Sequence, residues 1–179
     1  MADHDVLGEL LQTAAARLAA YGYLLTGSQH AGEELVQDAI VKVFVKRRRL
    51  ANVAAAESYV RTTMRHLYID QIRREQQWRK AAPGQASPSQ GPDAVAQVDG
   101  ADAADRALAH LSPRSRAAVV LRYLDGLSVA EVAAAMGVSE GAVKRYLFEG
   151  RAALGPALGV TDDAEPDGTA DVLVKGSRS

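Results

Sequence analysis

The sequence predicts an all-α protein built as two small helical domains joined by a flexible acidic linker, and three observations carry that prediction. The chain is 47% hydrophobic but only 5% aromatic, and alanine and leucine dominate, which favours helices with aliphatic cores. Apolar residues recur at helical spacing through several long segments. A third signal lies between Ser128 and Leu147, where small, glycine and β-branched residues stand where a helix-turn-helix requires them.

Taken in order, Val6 to Leu25 reads as one helix, with Leu7, Leu10, Leu11, Ala14, Leu18 and Tyr21 on an apolar face and Gly27 as the cap beyond its end. Ala31 to about Arg48 reads as a second, with Leu35, Val36, Ala39, Ile40, Val43 and Phe44 inward. A break over Leu50 to Ala56 precedes a long helix from about Glu57 to Lys80. Pro83 to Pro92 holds three prolines and two glycines with polar filler, so it reads as a linker, continued by Asp93, Asp99 and Asp102. Helical periodicity returns near Ala103; Ser112 caps a helix whose first residue, Pro113, loses nothing by lacking an N–H. These signals divide the chain into 1–80, a linker 81–102, a second domain 103–160 and an acidic tail 161–179.

Within the helix-turn-helix, Ser128 and Glu131 have the spacing of a capping box. Ala133 lacks bulk where two helices must approach, Gly137 can take the positive φ of the turn, and Ser139 caps the second helix. Val143 is its expected buried anchor. Glu140, Lys144, Arg145, Phe148 and Arg151 are left on an exposed, partly basic face suited to a major groove.

The net charge of −1 hides a segregation. From Lys42 to Lys80, eleven basic residues stand against three acidic ones, leaving +8 there and −9 elsewhere. That is the footprint of a protein that grips a polyanion locally. On the long helix, Arg61, Arg65, Arg73, Arg74, Arg79 and Lys80 interleave with Tyr68 and Trp78; cations hold phosphates and rings stack on unpaired bases. Tyr68 suits a core position equally well, and Asp70 can pair with Arg73 or Arg74 along the helix. Glu33, Glu34 and Asp38 form an acidic ridge that solubilises the helix or docks on a basic partner.

Several classes are excluded. There is no cysteine, so disulfides and thiolate metal sites are ruled out. His4, His30, His66 and His110 are too scattered for a metal site, and no glycine-rich phosphate loop occurs, so no metal, cofactor or catalytic residues are expected. No apolar run approaches the length needed to span a bilayer and the first residues lack a secretory signal's basic flank, so a cytoplasmic protein without membrane insertion is expected.

Three blocks together resemble the extracytoplasmic-function (ECF) sigma factors of bacterial RNA polymerase, over about Leu18 to Lys80 and Leu108 to Leu154. They are Leu25-Thr26-Gly27 with Ala31 to Asp38, Tyr59-Val60-Arg61 through Tyr68 to Arg74, and Leu111 to Arg116 through Arg151. The resemblance implies that Glu34, Gln37 and Asp38 dock on the β′ clamp helices of core RNA polymerase. It implies that Leu50 to Glu57 captures a flipped base while Arg61, Arg65, Arg73 and Arg74 hold phosphates of the −10 element. Lys144, Arg145 and Arg151 would bind the −35 element of promoter DNA, with that domain resting on the β flap. The linker would run through the RNA exit path, and an anti-sigma factor would mask both domains. Two residues depart from the pattern: His66 stands where asparagine is frequent, and Glu149 where a basic residue is frequent. The rival reading is a freestanding helix-turn-helix regulator that binds an operator as a dimer.

Overall fold

The computed structural model describes residues 3–45, 50–82 and 103–158, and every regular element among them is helical. Of the expected linker 81–102, Ala81 ends the long helix and Ala82 caps it; the rest of the linker and the tail lie outside the described residues. The first region comprises α1 (Asp3–Thr13), α2 (Ala15–Thr26), α3 (Gln29–Val45) and α4 (Val53–Ala81). The second comprises α5 (Ala103–His110), α6 (Pro113–Val119), a π-helical turn (Val120–Leu124), α7 (Val129–Met136) and α8 (Glu140–Leu158).

The helix expected over Val6 to Leu25 is in fact two. Ala14 takes φ −117°, which kinks the rod, while hydrogen bonds from Ala14 N–H to Leu10 O and from Leu18 N–H to Ala14 O carry across the kink. The apolar stripe Val6, Leu10, Ala14, Leu18, Tyr21 and Leu25 is buried without interruption, so hydrophobic spacing reveals the stripe and not the bend. Gly27 ends α2 with φ +72°, its N–H bonded to Tyr23 O. Gly22 of α2 meets Gly32 of α3 so closely that a Cβ on Gly22 would stand 2.6 Å from the Gly32 carbonyl oxygen.

The break before the long helix is shorter than its sequence suggests. Asn52 caps α4, its side-chain oxygen accepting from Ala55 N–H at 2.8 Å, and the good helix formers Ala54 to Ala56 continue from that cap. Ala56, Val60, Met64, Tyr68, Ile69 and Ile72 make the buried face of α4, which settles Tyr68 as a core residue. Arg17 clamps the start of α4 to α2 through both oxygens of Glu57, at 2.9 and 2.7 Å.

In the second region Ser112 Oγ accepts from Ser115 N–H, with Pro113 opening α6 as expected. At its end this helix widens: Asp125 N–H reaches back five residues to Val120 O. The capping box forms in both directions, Glu131 N–H to Ser128 Oγ and Ser128 N–H to Glu131 Oε2. Gly137 turns with φ +65°, Ser139 Oγ accepts from Ala142 N–H, and Val143 is fully buried. The two regions pack against each other, α2 and α4 against α6 and α7.

The glycine contact gives a test. Gly22→Ala forces α2 and α3 apart against backbone atoms, and we expect a net loss of about 1–3 kcal/mol in urea unfolding even after the helix-propensity gain. Gly8→Ala is the control, because a Cβ there meets nothing within 4 Å. It should leave stability unchanged or slightly raised.

Candidate nucleic-acid interface

Three surfaces carry the residues singled out in the sequence. On α3, Glu34, Gln37 and Asp38 are all exposed and share one side of the helix, while Leu35, Ala39 and Val43 are buried on the other. Glu34 pairs with His30 one turn back at 3.3 Å. The exposed side continues into Val41 and Val45, 60% and 73% exposed, so it is acidic at one end and apolar at the other.

On α4 the four arginines divide. Arg74 is exposed along the outer side of the helix, whereas Arg61 and Arg65 are partly covered and turn toward the second region. Arg73, although largely exposed, lies across the helix-turn-helix turn, where a Cβ on Gly137 would fall 2.5 Å from its guanidinium. Asp70 forms no ion pair with Arg73 or Arg74 among the described residues, contrary to the helical spacing that suggested one. Trp78 remains exposed.

On α8, the second helix of the helix-turn-helix, Lys144, Arg145 and Arg151 are exposed, Arg145 on the side opposite Val143 and Leu147 and Arg151 one turn beyond Leu147. Arg145 lies over the Tyr146 ring at 5.3 Å and 3.9 Å from Glu149. Glu149 in turn accepts from the buried Ser115 hydroxyl at 2.6 Å. The departure noted at Glu149 is thereby a structural tie between α6 and α8. Arg151 donates to the Tyr123 hydroxyl.

Sequence reasoning missed a cluster at the junction of the two regions. The Tyr21 hydroxyl donates to Asp125 Oδ2 at 2.8 Å; Arg61 and Arg65 donate to the same carboxylate at 3.3 and 3.4 Å; and the Arg61 guanidinium lies 4.5 Å from the Tyr21 ring centre. An open cleft of about 430 Å³ adjoins them. Burial first, then the Asp125 charge, pushes the Tyr21 phenol well above its ordinary value. Beside it Arg116, 5% exposed, donates to Leu108 O, Ala109 O, Leu111 O and, across the junction, Thr26 O. Burial raises Tyr68 to about 12, opposed by neighbouring Arg116. No local signal marks the contacts across the junction, whose partners stand 60 to 104 positions apart. Among the described residues no cluster could hold a metal ion, and no helix is long and apolar enough to cross a membrane.

Comparison with known proteins identifies the family. The sigma-70 region 2 family matches residues 10–79 and sigma-70 region 4 matches residues 101–154. ECF RNA polymerase sigma factor SigL of Mycobacterium tuberculosis is 32% identical over 155 residues, 82% of this chain and 85% of that protein. The chain belongs to the ECF sigma factors. ECF sigma factor SigE of Mycolicibacterium smegmatis is 34% identical over 152 residues, 80% of this chain, which spans 58% of that longer protein. The sigma factor RpoE of Bartonella quintana, solved in complex with the anti-sigma factor NepR, shares the fold at a TM-score of 0.50 and 24% identity, covering 86% of this chain and 97% of that one. Sigma factors direct RNA polymerase to promoters and are not catalysts.

The phenols at the junction of this sigma factor fix a pH dependence. Their folded-state values lie above the unfolded value near 10, so the native state retains protons that the unfolded chain gives up. Stability from the neutral phenols is fully present below about pH 10 and falls as pH rises from there toward 12. Denaturant midpoints measured from pH 8 to 11.5 should decline above pH 10, and less steeply in Tyr68→Phe.

Proposed function

We propose that this chain binds core RNA polymerase through α3, holds the −10 element on α4 and reads the −35 element with α8. The proposed units are 1–80 for core binding and −10 recognition, 81–102 as linker, 103–160 for −35 recognition and 161–179 as tail. The observation that carries the reading is the presence, in one chain and in family order, of an exposed acidic-to-apolar helix face, a basic 29-residue helix and a fully formed helix-turn-helix.

Glu34, Gln37 and Asp38 meet the β′ clamp helices in this reading, with Val41 and Val45 supplying apolar area beyond them. Arg61, Arg65, Arg73 and Arg74 hold phosphates of the −10 region, where unpairing is driven by binding energy rather than hydrolysis. Lys144, Arg145 and Arg151 enter the −35 groove, and the second region rests on the β flap. An anti-sigma factor is the proposed regulator, by analogy with the complex of the Bartonella protein. Run-off transcription with core polymerase and a promoter library tests the whole: promoter-selective transcripts dependent on this chain are expected. Footprinting of a palindrome by the chain alone would instead favour a freestanding regulator.

Charge reversal tests the docking face. Glu34→Lys with Asp38→Lys should weaken competition for core against another sigma factor by a few kcal/mol if the contacts are desolvated. Unchanged competition removes these residues from the interface.

On α8, Arg145 is assigned to a base edge and Arg151 to phosphate. A bidentate arginine–guanine contact is worth about 1–3 kcal/mol of discrimination, whereas a phosphate contact lowers affinity evenly across sequences. In transcription from a randomised −35 library, Arg145→Ala should flatten the preferred sequence. Arg151→Ala should lower output without changing that preference.

A further inference from the structure

Asp125 belongs to the second region, yet its carboxylate is held by the first. Its side chain is only 9% exposed, and three donors converge on it: the Tyr21 hydroxyl, Arg61 and Arg65. Two of these donors are arginines assigned above to promoter phosphates. A carboxylate presents to two guanidinium groups and a hydroxyl what a phosphodiester presents, one negative charge spread over two acceptor oxygens. The same cations cannot be fully engaged by both. Arg73 is also engaged across the junction, against Gly137. Three of the four α4 arginines thus face the second region, while Arg145 and Arg151 on α8 remain exposed.

We propose that Tyr21, Arg61 and Arg65 form an anion site for a backbone phosphate of the opened promoter strand, and that Asp125 fills this site in the free chain, masking the −10 surface until the two regions separate. The proposal rests on the assignment of α4 to the −10 strand. It adds Tyr21 as a phosphate contact and Asp125 as an internal competitor. The closed junction is asymmetric in effect: single-strand binding is blocked while the helix-turn-helix face stays available. Polymerase, by engaging the regions at separate promoter elements, would uncover the site in the same event that delivers the strand to it.

The full chain contains no cysteine, so a dye pair introduced by Leu11→Cys and Ala152→Cys, both at exposed positions on α1 and α8, reports separation of the regions by energy transfer. The probe is a fluorescein-labelled, mixed-sequence single-stranded DNA 15-mer, titrated without polymerase. Asp125→Asn keeps the side-chain shape and should lower energy transfer and tighten DNA binding about tenfold, the scale of one lost charge-assisted contact. Tyr21→Phe leaves net charge unchanged, so a tighter complex there is no general electrostatic effect. It should lower energy transfer as well, and bind the probe no more weakly than wild type, because release from Asp125 outweighs the lost hydroxyl. It also serves if Asp125→Asn fails to fold. Wild-type affinity and energy transfer in both variants would overturn the latch. Separation of the regions in Asp125→Asn without tighter DNA binding, or weaker binding in a separated Tyr21→Phe, would overturn the masking. If Arg61→Ala with Arg65→Ala, added to Asp125→Asn, leaves DNA affinity unchanged, the −10 assignment itself fails, and that result is distinct from either of the others.

Discussion

One buried guanidinium organises this molecule. Arg116 is almost wholly withdrawn from water, a costly place for a charge, and it is compensated by backbone carbonyls at the ends of two helices. Leu108 and Ala109 supply carbonyls from the last turn of α5, and Thr26 supplies the last of α2. Those carbonyls lack the i+4 amide of a continuing helix, although Leu108 O also accepts from Leu111 N–H, and they carry the negative end of the helix dipole. A single cation therefore caps α5 and α2 together, and in doing so joins the second region to the first. Gly27 belongs to the same device: beyond its positive φ, any Cβ there would run into the Arg116 guanidinium.

Much of the architecture was legible because its causes are local. The capping box at Ser128, the positive φ at Gly137, Pro113 at a helix start and the burial of Val143 all follow from neighbouring residues and came out as expected. The kink at Ala14 was not legible, because burial needs only a continuous stripe, and a bent helix supplies one as well as a straight one. Asn52 is a good cap residue by type, but Leu50 to Ala56 lacks the apolar periodicity that marks a helix in sequence. The junction was beyond reach for a different reason. Tyr21, Asp125 and Arg116 have no shared spacing, and a linker full of proline and glycine suggests independence rather than docking.

The distribution of charge acquires a meaning that composition alone does not give. The +8 segment does not present all of its cations as one uniformly sticky surface: Arg61 and Arg65 are spent on Asp125. A chain of nearly zero net charge that also covers its own cations should have little affinity for bulk nucleic acid. Glu149 acts similarly on a smaller scale, tying α8 to Ser115 while standing close to Arg145.

The π-helical turn at Val120–Leu124 sets where Asp125 points. A π turn accommodates one residue more than an α turn, and each residue of an α-helix rotates the chain by about 100°. Loss of a single residue from this turn would let it relax to ordinary α geometry and swing the carboxylate around the helix axis, without altering any side chain in α7 or α8. The aim of Asp125 is thus encoded in chain length. Insertions and deletions among relatives, rather than substitutions, are where its gain or loss would be written.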